Sequence, residues 1–157
     1  MPQVNAGTFG GAPSDILPGL PAGLLKFDRS LLMYILLGIL TCGIYDLYFL
    51  HSMARDANIA CAGDGGNTAE ILQFLLLSLV TCGLYGIYWQ YSLANRLADN
   101  APRYGMQFQE NGTTVLLWIL LGFLLCGIGS FVALHILIKN MNKICYAYNR
   151  HVVRGGY

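Results

Sequence analysis

The chain has 157 residues, of which only 11% are Asp, Glu, Lys or Arg and 55% are hydrophobic; its formal net charge is +1. Soluble domains carry roughly 25% charged residues, so too few charges remain here to cover a water-facing surface. A balance this close to zero also excludes the basic field that a nucleic-acid partner requires.

Residues 1–29 form a Gly/Pro-rich N-terminal segment. It has no basic leader and no apolar run before its prolines, unlike a secretory signal. Its second half, ILPGLPAGLLKF, is apolar enough to lie on a bilayer or against a neighbouring subunit. Residues 30–150 are expected to form a membrane domain, and 151–157 a short C-terminal tail.

Within that domain three apolar runs are expected as helices over about 31–54, 70–98 and 113–140. Ile71 to Asn95 and Asn111 to Ile138 hold no charge, and Leu31 to Met53 holds only Asp46. Each meets the roughly 20 residues that a helix needs to cross about 30 Å of hydrocarbon. The fold class expected is all-α and integral-membrane, in three tandem hydrophobic repeats.

The repeats align on glycine. TCGIYDLYF from Thr41 is echoed by TCGLYGIYW from Thr81, and Cys126-Gly127-Ile128 carries a diverged third copy without the tyrosines. The aromatic cluster Tyr45, Tyr48, Phe49, Tyr85, Tyr88, Trp89 and Tyr91 is expected at the membrane boundary, where rings with polar tips gather. Thr41-Cys42-Gly43, Thr81-Cys82-Gly83 and Cys126-Gly127 suit a kink. The small pairs Gly38/Cys42, Ser78/Cys82 and Gly122/Cys126 are spaced for close helix packing. Two topologies accommodate the repeats. In three crossings, the favoured one, Lys and Arg divide four against five between the two sides. In the other, each repeat is a re-entrant hairpin bent at Cys-Gly, with all its ends on one side.

The phrases TCGLYGIYW and TCGIYDLYF resemble a family of small bacterial membrane domains known only as a domain of unknown function, with tandem LLSxxTxGIYxxYW phrases. The resemblance runs from about Leu31 to Asn100 and implies a bacterial integral membrane protein with no catalytic residues to carry across; the localisation expected is multi-pass, in a bacterial cytoplasmic membrane.

No enzyme signature stands in the chain, and no catalytic residue, metal site or cofactor is expected. CAGDGGN from Cys61 reads as a flexible turn, and His51, His135 and His151 as lone boundary residues. The role expected is structural and self-assembling, with membrane lipids and further copies of the chain as partners. The alternative is an oligomeric channel or transporter accessory subunit, for which Asp46 is the one candidate polar contact.

Overall fold

The computed structural model describes residues 24–155. These form six α-helices: α1 (Leu31–Leu40), α2 (Ile44–Ala60), α3 (Ile71–Val80), α4 (Leu84–Asn100), α5 (Gly112–Leu124) and α6 (Ile128–Gly155). A 3-10 turn at Ala101–Tyr104 follows α4. The apolar stretch Ile16–Gly23 lies outside the described residues, and α6 runs on through residues 151–155, where a tail was expected.

The three expected helices are each broken in two, and the repeated phrase is what breaks them. Among the described residues, the only non-glycines with positive φ are Cys42 (52°), Cys82 (52°) and Cys126 (51°). Each is followed by a glycine near 90°: Gly43, Gly83 and Gly127. A left-handed residue ends a helix, and the hydrogen bonds are those of a Schellman turn. Gly43 N–H donates to Gly38 O at 2.8 Å and Cys42 N–H to Ile39 O at 3.3 Å. The second repeat repeats both, with Gly83 to Ser78 at 2.7 Å and Cys82 to Leu79 at 3.3 Å.

Threonine closes the turn. The Thr41 hydroxyl donates to Leu37 O at 2.6 Å and accepts from Tyr45 N–H at 2.9 Å. It thus satisfies one of the orphan N–H groups that open the next helix. Thr81 does the same between Leu77 and Tyr85. In the third repeat Leu125 takes threonine's place and Gly127 N–H still reaches Gly122 O at 2.7 Å. A residue in the left-handed region costs about 1–2 kcal/mol unless it is glycine, and each of the three turns carries that cost at its cysteine.

After each turn the chain returns along its own helix. Tyr34 of α1 meets Phe49 of α2 at 4.8 Å between ring centroids, and Phe74 of α3 meets Trp89 of α4 at 5.6 Å. Between α5 and α6 the approach is closer still, because a Cβ on Gly129 would collide with the carbonyl oxygen of Trp118. The fold is therefore three helical hairpins. Each apolar run doubles back at Cys-Gly, as in the second of the two topologies the sequence left open, and is not one continuous helix: α1 and α3 have ten residues each, about 15 Å of helix. No helix among the described residues is long and apolar enough to cross a membrane.

The hydrophobic core lies between the returning helices and around the hairpin bases. Met53, Leu93, Leu97, Val115, Leu137, Met141 and Ile144 are all but inaccessible. Neither α1 nor α3 contributes a buried residue.

The three hairpins share a direction. Leu25 pairs through its backbone with Asn149 and Arg29 with Asn142. The chain entering hairpin 1 thus climbs α6 towards its N-terminus, and α1 carries on that way. Gly112 N–H donates to Asn95 at 2.9 Å, and Lys139 pairs with Glu110 at 2.5 Å. The start of α5 therefore sits beside the middles of α4 and α6, and α5 packs along both. All three tips fall at one end of the bundle and all three bases at the other.

Candidate functional site

At the tip end the side chains are apolar and open. Leu40 is 76% exposed, Val80 79% and Leu124 80%, and Ile39, Ile44, Leu79, Leu84, Phe123 and Ile128 stand beside them, also exposed. The outer faces of the hairpins continue the surface through Leu32, Leu36, Leu72, Leu76, Leu117 and Leu121. Yet the backbone at the tips leaves little unpaired: each N–H from Thr81 to Gly86 has a partner within the turn or the preceding helix. An apolar surface over an internally satisfied backbone is what hydrocarbon demands of a chain within it.

The base end is polar and tightly built. Arg29 and Asp56 form a buried ion pair at 2.5 Å, with Ser52 accepting from Arg29 at 2.9 Å and Arg55 adding a second contact to Asp56 at 3.2 Å. At the base of hairpin 2, Arg96 commits its whole guanidinium. Nε and Nη2 reach the two oxygens of Asp64 at 2.8 and 3.0 Å, Nη1 reaches Asn58 and Thr68, and Nη2 also reaches Gly66 O. That grip holds the Asp64 carboxyl down at about 2, and the hydrogen bond from Lys139 lowers Glu110. The CAGDGGN segment is therefore clamped, where the sequence suggested a flexible turn. Burial pushes the thiols of Cys61 and Cys145 up to about 11 and about 12. No group of three His, Cys, Asp or Glu close enough to hold a metal occurs among the described residues.

The expected site residues are distributed unevenly over this frame. Gly43, Gly83, Gly127, Thr41 and Thr81 form the turns, as a kink would require. Cys42, Cys82 and Cys126 are exposed in those turns, so they no longer share a helix face with Gly38, Ser78 and Gly122. Gly38 and Gly122 face the returning arm of their own hairpin. A Cβ on Gly38 would lie 2.5 Å from Asp46 Oδ1, and one on Gly122 3.3 Å from Ser130 Oγ. Asp46 Oδ1 is buried and has no hydrogen-bond partner among the described residues.

The aromatic cluster does not form one boundary girdle. Phe49 (4% exposed) and Trp89 (2%) are core residues, and the Trp89 indole donates to Ala69 O at 3.0 Å. Tyr45 and Tyr85 pack partly against that core, and Tyr88 is exposed. Tyr91 is half-buried, in the wall of a cleft of about 640 Å³ at the base of hairpin 2, with Asp64, Arg96 and Asp99. Sequence reasoning missed the basal network of Arg29, Asp56, Asp64 and Arg96. Its one available signal was the presence of charges at fixed distances from each Cys-Gly pair.

No curated protein and no solved structure matches the chain. A family match does, twice. Residues 29–99 take in hairpins 1 and 2, residues 69–143 take in hairpins 2 and most of 3, and the middle hairpin serves in both. With residues 29–143 covered, the chain belongs to the domain of unknown function DUF4234.

Proposed function

We propose that this protein is a structural, non-catalytic component of a membrane, inserting its three hairpin tips into one leaflet and holding its polar base at the headgroups. One observation carries the reading: three copies of one apolar, internally hydrogen-bonded turn project from the same end of the bundle. The dimensions agree. The outgoing helices measure about 15 Å, which is half of a hydrocarbon core of roughly 30 Å. On the returning arms the first basic residues, Arg55, Arg96 and Lys139, come 11 or 12 residues after the first residues of α2, α4 and α6, about 16–18 Å along.

In water, α1 and α3 would each hold ten mostly apolar residues with none buried. In lipid the same faces meet hydrocarbon or a second copy of the chain. Gly38 and Gly122 are used within their own hairpins, so the reading of self-association rests on these open lateral faces. The membrane meant is a bacterial cytoplasmic one.

The test uses the chain's own thiols. Bimane on Cys42, Cys82 and Cys126, in lipid vesicles, should be quenched more by bromines deep in the acyl chains than by shallow ones. Cysteines introduced at Asn67 and Gln109, at the bases of hairpins 2 and 3, should both react with an impermeant maleimide from one side of sealed vesicles. Water-like emission at the tips refutes insertion, and labelling of the two base sites from opposite sides refutes the single-leaflet placement.

A second reading, an oligomeric channel, has the unpartnered Oδ1 of Asp46 in its favour. Absence of ion flux in liposomes, or flux unchanged in Asp46→Asn, removes it.

A further inference from the structure

The part of α6 farthest from its tip carries a second feature, a pocket of about 340 Å³. Lys143, Ala147, Arg150 and Arg154 line it from one face of the helix, being spaced four, three and four residues apart. Ala147, the one small side chain in that row, leaves the concavity. Tyr104 stands across from the helix; its hydroxyl is committed to Ala60 O and its ring lies 5.6 Å from His151.

The cations are held by rings. The Lys143 ammonium sits 5.8 Å from the Phe108 centroid, and the Arg150 guanidinium 5.8 Å from that of Tyr146. No carboxylate lines the pocket. Arg29, Arg55, Arg96 and Lys139 all form salt bridges, whereas Lys143, Arg150 and Arg154 form none among the described residues, and Lys143 acts on Glu110 only at longer range. Arg150 and Arg154 lie one turn apart, where like charges repel, a stability cost that a bound anion would relieve. The volume is at the small end of ligand sites, too small for a macromolecule.

We infer that this pocket binds a small phosphate-bearing anion. The inference stands apart from the insertion of the tips. Lys143 is about 22 Å along α6 from Ile128, and Arg154 about 39 Å. With the tips inserted as proposed, the site would start near headgroup level and extend beyond it; in either case the phosphate can belong to a free mono- or diphosphate or to an anionic lipid.

The full chain in neutral detergent, titrated calorimetrically with inorganic pyrophosphate, tests it. Binding weakened at least tenfold by Lys143→Gln and by Arg150→Gln, and unchanged by Arg103→Gln, supports the site with a free anion. In a second arm the micelles contain phosphatidylglycerol, and bound lipid is counted by native mass spectrometry. Retention of that lipid with no pyrophosphate binding, lost in the same two variants, supports the site with a headgroup. No binding in either arm, or equal weakening by Arg103→Gln, overturns it. Lys143 and Arg150 are exposed, so their replacement leaves helicity intact as a check on folding.

Discussion

Lysine at the tips is the most direct test of what solvent they meet. Val80 is 79% exposed, so Val80→Lys should change folding stability by no more than about 0.5 kcal/mol. In hydrocarbon the same lysine costs about 2.5–3.5 kcal/mol on insertion scales, which is about a 70- to 400-fold loss in partitioning. The opposing gain comes from the nine exposed tip residues. At roughly 1.5–3 kcal/mol for full burial of each, about three-quarters realised, they supply about 10–20 kcal/mol before any cost of immobilisation. One lysine should therefore lower the bound fraction only at limiting lipid. Leu40→Lys, Val80→Lys and Leu124→Lys together should remove most of the gain. The assay is flotation with zwitterionic vesicles over a lipid series, with Asn67→Lys, exposed at the base, as the control. If the triple variant floats like the parent, or Asn67→Lys releases the chain equally, the tips are not the inserting surface.

Three further outcomes are expected. Arg29→Met leaves the buried Asp56 carboxylate without its main partner and should cost about 3–5 kcal/mol, whereas Arg29→Met with Asp56→Leu should recover most of it, as read by chemical denaturation. The folded chain should present three thiols to a small neutral maleimide and the denatured chain five, because Cys61 and Cys145 are buried and their thiols are pushed up to about 11 and 12. Asp64 titrates near 2 when folded against 3.8 otherwise. Its contribution is present above pH 4 and lost as pH falls from about 4 to 2; solvent screening holds it to roughly 1 kcal/mol or less. Arg96→Met should flatten that acid limb of the stability curve.

How much of this was legible depends on the range of the interaction. The repeat, its three boundaries and the all-helical class follow from local patterning, since apolar runs and a recurring Thr-Cys-Gly are properties of consecutive residues. The reversal at Cys-Gly was visible only as an alternative. Glycine announces a left-handed residue, but cysteine does not, and it takes two such residues in succession to turn a kink into a hairpin. Phe49 and Trp89 were placed at a boundary because aromatic composition alone cannot distinguish a girdle from a core. Their burial depends on Tyr34 and Phe74, fifteen residues earlier in each case and brought alongside only by the turn. The pairing of Arg29 with Asp56 and of Asn142 and Asn149 with the chain before α1 spans up to 124 residues, beyond anything periodicity reports.

The hairpin arrangement also resolves the charge count that three crossings left undecided. No Lys or Arg lies within eleven residues of any Cys-Gly turn. The nearest are Arg29, Arg55, Arg96 and Lys139, each 12 or 13 residues from its turn. With the tips at one end of the bundle, the division of four against five becomes nine against none. Cytoplasmic faces carry the excess of Lys and Arg, so the insertion proposed above predicts that the hairpins enter and leave from the cytoplasm. In intact bacterial cells an impermeant maleimide should then fail to label a cysteine at Asn67 or Gln109 until the membrane is opened. Labelling from outside would mean that the nine basic residues face the wrong compartment and that the single-leaflet geometry, however well its dimensions fit, is not set by this charge asymmetry.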